Sequence, residues 1–75
     1  MTDKMLGVTA SDVIRALGKS DFFFSRQSGS HKIYKNNTGR RVTVPFHSGK
    51  ILHPKVLRNI LNDAELTIEE LQALL

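Results

Sequence analysis

His31 follows a Gly29-Ser30 pair and precedes a lysine, within the polar run Arg26-Gln27-Ser28-Gly29-Ser30-His31-Lys32. A glycine–serine turn keeps such a histidine near the surface, among cations. Neutral imidazole is what a general base requires. The chemistry to expect is proton transfer on a substrate that cations hold in place. Charge placement says what kind of substrate. No acidic residue lies between Asp21 and Asp63, yet that stretch carries Arg26, Lys32, Lys35, Arg40, Arg41, Lys50, Lys55 and Arg58, with all three histidines. The only cations elsewhere are Lys4, Arg15 and Lys19, and all seven acids lie at or beyond those two aspartates. A net charge of +4 thus conceals a strongly basic middle between acidic ends, the pattern of a chain that meets nucleic acid or another polyphosphate.

The other candidates fit less demanding roles. His47 reads as a solvated loop histidine that can approach the same end of the chain's sheet, and His53, just before Pro54, as a helix-start residue. Three histidines spaced sixteen and six apart, with no cysteine, match no common zinc pattern. The acid-free middle also offers no carboxylate cage for a divalent ion, so neither metal nor cofactor is expected. Ser30 beside His31 has no acidic orienter and reads as a turn residue, not a nucleophile. Arg26, Lys32, Lys35, Arg40, Arg41 and Lys50 are the cations expected to contact the polyanion, with Lys32 and the amides of Gly29 and Ser30 nearest to His31 in sequence. Phe22, Phe23 and Phe24 suit base stacking, although in a chain this small at least two of them are expected in its core.

These residues must be positioned by short elements, because 75 residues make one small domain, taken as 1–75, near the lower limit for folding without staples. Thr9-Ala10-Ser11-Asp12 has the form of a capping box, and Val13, Ile14 and Leu17 follow at helical spacing until Gly18. Phe22 to Arg26 and His31 to Lys35 read as strands around the Ser28-Gly29-Ser30 turn, and Asn36-Asn37-Thr38-Gly39 as a second hairpin connection. Arg41 to Pro45 alternates as a half-buried third strand. Alternation groups Phe22 with Phe24, and Val42 with Val44, as inward positions; with Ile33 inward too, His31 would share that face beyond the helix cover. A second helix opens at His53-Pro54 with Val56, Leu57, Ile60, Leu61 and Ala64 on one face. Thr67-Ile68-Glu69-Glu70 caps a last short helix through Leu74, with Leu66 and Leu71 as its hydrophobic staple. The expected fold is α+β, in the order α-β-β-β-α(-α): a three-stranded antiparallel sheet with helices on one face. No apolar run approaches the roughly 20 residues of a membrane span, Met1 to Val8 lacks a secretory core, and the absence of cysteine suits a reducing cytoplasm.

The order resembles the double-stranded-RNA-binding-domain type of fold, and the motifs narrow the resemblance. Phe22-x-x-x-Arg26-Gln27-x-Gly29-Ser30-His31-x-Ile33-Tyr34, then Gly39-Arg40-Arg41-Val42-Thr43-Val44-Pro45-x-His47, then Leu57-x-x-Ile60-Leu61-x-x-Ala64 are similar to the HicA family, from about Val8 to Leu71. That family comprises small mRNA-cleaving toxins of type II toxin–antitoxin pairs. Two departures concern helix ends: Glu65 stands where glycine is common, and His53-Pro54 replaces a small-residue helix start. The resemblance implies that His31 is catalytic, that mRNA is the substrate, and that a HicB-like antitoxin covers the basic face. The expected reaction is strand cleavage in which a base activates the ribose 2′-hydroxyl, a group DNA lacks. Two rivals share the charge pattern: a non-catalytic RNA-binding module of the same fold, and a partner whose basic face serves protein assembly alone.

Overall fold

Residues 7–47 and 49–75 are described by the computed structural model; Met1 to Leu6, the larger part of the Met1–Val8 stretch read above as lacking a secretory core, and Ser48 in the loop after the third strand lie outside them. Thr9 and Asp12 start the first helix, α1 (Ala10–Lys19), by a reciprocal exchange. The Thr9 hydroxyl accepts from the Asp12 amide at 3.2 Å, and the Asp12 carboxylate accepts from the Thr9 amide at 3.1 Å. Gly18 does not end this helix, which runs one residue further. The stop comes from Asp21, whose φ of 68° is left-handed and lets the Phe22 amide donate back to the Leu17 carbonyl at 3.0 Å. That six-to-one closure folds Phe22 under the helix, where it is buried with Leu17 in the core.

Phe22 therefore belongs to the helix stop and not to a strand. The sheet comprises β1 (Phe23–Ser28), β2 (His31–Lys35) and β3 (Arg41–Pro45), antiparallel in the order β1-β2-β3. Gly29 and Ser30 form the two-residue turn between β1 and β2, with Gly29 at φ 58°, as tight hairpins ask of a first central residue. Between β2 and β3, the Asn36 side-chain oxygen accepts from the amides of Thr38 (3.1 Å) and Arg40 (2.9 Å), and Gly39 takes φ 90°.

The register decides which residues face the helices. Directly opposed residues share a face, so Tyr34 lies with Val42, and Lys32 with Val44. Val42 and Val44 are completely buried and Tyr34 nearly so, as the alternation of the third strand predicts. Ile33 lies on the reverse face opposite Thr43, against the expectation that would place it inward. Phe24 is also corrected. It pairs with Tyr34 and meets that ring edge-on at 5.7 Å, but β1 is the outer strand beyond the helix cover, so it remains 53% exposed. A register shift between Phe24 and Arg26 then turns Arg26 toward the open face, opposite Ile33.

α2 (Pro54–Ala64) lies against β3, burying Leu57, Ile60, Leu61 and Ala64. It ends as α1 does: Glu65 takes φ 58°, and the Leu66 amide donates to the Leu61 carbonyl at 2.9 Å. Thr67 and Glu70 cap α3 (Ile68–Leu74) by a second reciprocal exchange, with Leu71 fully buried and Leu66 partly buried beside it. The result is α+β, with the helices packed on one side of an open three-stranded antiparallel sheet. No helix of the described residues is long and apolar enough to cross a membrane.

Candidate functional site on the open face of the sheet

Opposite the core, the sheet presents three cross-strand rows. Ser28, His31 and Pro45 form the first; Arg26, Ile33 and Thr43 the second; Phe23, Lys35 and Arg41 the third. Neighbouring rows on one face are about 7 Å apart, since strands advance about 3.4 Å per residue and alternate sides. His31 thus begins a line that runs by way of Ile33 to Lys35, with Arg26 on one side and Arg41 on the other strand. His31, Arg26, Lys35 and Arg41 are all exposed, and so is Phe23 at 51%. Ile33, at the centre, is buried although no helix covers that face. The three rows contain no acidic residue.

His31 owes its place to the turn before it. The Ser28–His31 pair closes the hairpin, and the Ser30 carbonyl accepts from the Phe46 amide at 2.6 Å, which ties the turn to the chain leaving β3. Gly29 has open space where a Cβ would stand, so the constraint on it is its left-handed backbone and not crowding. The arrangement leaves an exposed imidazole at one end of a cationic face. It can exchange a proton with a ligand lying along that face.

Two of the expected cations are directed elsewhere. Lys32 alternates to the helix side, where its ammonium sits 3.9 Å over the Phe46 ring, a cation–π contact. It is nearest to His31 in sequence yet on the other side of the sheet. Arg40 lies at the far end, past the β2–β3 turn. Its Nε donates to the Asp63 carbonyl at 2.8 Å and its guanidinium pairs with Glu65 at 3.2 Å, so it closes the C-terminus of α2. Tyr34 is also on the helix side, and burial pushes its phenol pKa up.

Beside the His31 row lies a feature that sequence periodicity did not signal, an open cleft of ≈ 180 Å³ between the end of β3 and the start of α2. His47, Lys50 and His53 line it together with Pro45, Ile51, Leu52 and Val56. His53 has the helix-start role expected of it, its Nδ1 accepting from the Lys55 amide at 3.0 Å. Ile51 is 61% exposed next to Lys50, and an apolar loop residue left in solvent is the one trace of the cleft in the sequence. Among the described residues, no group of three or more histidine or acidic side chains could hold a metal ion.

With this geometry, the sequence model described as the HicA toxin of bacterial toxin–antitoxin systems matches residues 10–66, from the start of α1 through the stop of α2. No curated protein matches the chain at a significant level.

Proposed function

The chain belongs to the HicA family of toxins from bacterial toxin–antitoxin pairs, and from that premise we propose that it is a metal-independent endoribonuclease that cleaves mRNA with His31 as its catalytic acid/base. The observation that carries this reading is an exposed histidine sharing an acid-free sheet face with Arg26, Lys35 and Arg41. Neutral His31 takes the proton of a ribose 2′-hydroxyl. The freed oxygen attacks the adjacent phosphorus, the bond to the 5′-oxygen breaks, and a 2′,3′-cyclic phosphate and a 5′-hydroxyl result. The departing oxygen takes a proton from the imidazolium or from water. Charge building on the phosphorane needs donors that are already oriented, a role suited to the amides of the Gly29-Ser30 turn and the open-face cations. Lys50, lining the adjoining cleft, adds a further phosphate contact at the His31 end.

The family implies an antitoxin partner. We assign it to a HicB-like protein that presents acidic side chains to the open face and covers His31. Complementary charge of that kind speeds encounter and fixes orientation. In this reading the toxin acts in the cytoplasm, where mRNA is translated. The test is expression of the chain without an antitoxin, wild type against His31→Ala, following growth and mRNA integrity. Wild type should arrest growth and fragment mRNA, and the variant should do neither. An alanine variant that still cleaves at the wild-type rate removes His31 from the mechanism, whereas a wild-type chain that binds RNA and leaves it intact is an RNA-binding module on the same face.

A further inference from the structure

The cleft beside the His31 row has a composition that the proton chemistry does not use. Pro45, Ile51 and Val56 contribute apolar surface to it, while the polar groups around it are Lys50, His47 and His53. No acidic residue lines it. His53 is held by the amide of Lys55 on Nδ1, so its neutral ring carries the proton on Nε2 and offers a donor there. Pro45 belongs to both features: it is the cross-strand partner of His31 and a wall of the cleft. Ile51, at 61%, has the highest exposure of the exposed large apolar residues in the described chain. A site with apolar walls, hydrogen-bond donors and a cation, but no carboxylate, fits a flat, acceptor-rich ring attached to a phosphate.

We infer that this cleft is the subsite for a nucleobase of single-stranded RNA flanking the phosphate at which His31 acts, with Ile51 and Val56 against the base and Lys50 on its phosphate. The inference rests on the ribonuclease reading, and it adds a source of sequence preference that His31 and the open-face cations lack. Arginine and lysine on phosphates position a strand without reading it; discrimination comes from groups that meet the base. Splayed single-stranded bases are read by a side chain laid against one face, most often a ring, and by hydrogen bonds at the edge; here the wall is aliphatic and the edge donors are histidine and lysine. Lys50 and Ile51 are neighbours in the chain, so one short segment of backbone addresses a phosphate and its base together.

The experiment uses binding to decide the subsite and cleavage to decide the nuclease, so that the two can fail separately. A short fluorescent RNA and a series of the same RNA, each with one abasic position, are titrated with the intact His31→Ala chain. One position in the series should bind about tenfold more weakly, at the low end of what loss of an aromatic stack costs, because the walls here are aliphatic. In the His31→Ala, Ile51→Ser double variant that dependence should largely vanish, because the apolar wall is gone. Ile51 is exposed, and a thermal melt verifies that the fold is retained. Lys50→Gln in the same background should keep the abasic penalty and flatten the salt dependence by roughly 0.7 in log–log slope. A series with no sensitive position, or a penalty that Ile51→Ser leaves unchanged, overturns the subsite. If His31-intact protein leaves RNA uncut while the abasic pattern holds, the nuclease reading fails and the base site stands.

Discussion

Changing the cations one at a time in a His31→Ala background separates those that meet RNA from those that hold the fold. Arg26, Lys35 and Arg41 share the open face with position 31, and Lys50 lines the cleft beside it. Each phosphate neutralised on a single strand releases counterions and adds roughly −0.7 to the slope of log affinity against log salt. Four contacts give a slope of about −2.8, equivalent to about a 50-fold loss of affinity between 50 and 200 mM salt. Glutamine at any one of the four should bring the slope to about −2.1. Arg40→Gln should leave the slope alone, because its guanidinium is engaged with the Asp63 carbonyl and Glu65 at the end of α2. Its loss should appear instead as about 1 kcal/mol of stability, a fall in Tm of roughly 4–8 °C for a chain of this size. Fluorescence anisotropy across a salt series reads the first quantity, and circular dichroism melting the second. A parent slope near zero, or Arg40→Gln flattening the slope as much as Arg41→Gln does, would refute the assignment of the open face to RNA. The basic residues would then belong to protein assembly, with an acidic partner as the first thing to look for.

Three further outcomes follow from the site and its supports. His31→Ala should lower the cleavage rate of purified protein by at least about 10²–10⁴-fold, the usual contribution of a positioned acid/base, while the melting temperature of this exposed-site variant stays within error. Cleavage should persist in excess EDTA and stop at a substrate whose scissile nucleotide is 2′-deoxy; product analysis showing efficient cutting of the deoxy substrate would end the 2′-hydroxyl mechanism. Glu65→Gly should stabilise the fold modestly. It relieves a left-handed backbone that costs a side chain roughly 1–2 kcal/mol and gives up an exposed ion pair with Arg40, of the kind worth about 0–1 kcal/mol. A melt showing clear destabilisation would mean that the Arg40 pair outweighs the backbone strain.

Much of this fold is written in short stretches of sequence, because the forces that make its elements are local. Thr9 to Asp12 and Thr67 to Glu70 satisfy helix amides within four residues, and both capping boxes form as their pattern predicts. The His31–Lys35 and Arg41–Pro45 strands and the helix beginning at Pro54 also appear where turn residues and apolar spacing put them. Glu65 takes an αL conformation that glycine alone adopts without a Cβ penalty, so the helix stop is made here by a residue that bears the cost.

What the chain could not declare locally was which face of the sheet each residue takes, and so which cations accompany His31. Alternation says that Lys32 and Tyr34 share one face, and His31, Ile33 and Lys35 the other. It does not say which of the two meets the helices. That was decided by the pairing of Tyr34 with Val42, whose side chain is buried beneath α2, and by the shift in β1 that turns Arg26 outward. Phe22 entered the core through a helix stop six residues long, and Arg40 was drawn to carbonyls more than twenty residues away. The cleft at Pro45, Ile51 and Val56 exists only where β3, a loop and α2 come together. Residue types and local spacing determined which elements form and that His31 stands at a strand start after a tight turn; strand register and helix packing, which act between distant parts of the chain, decided what surrounds it.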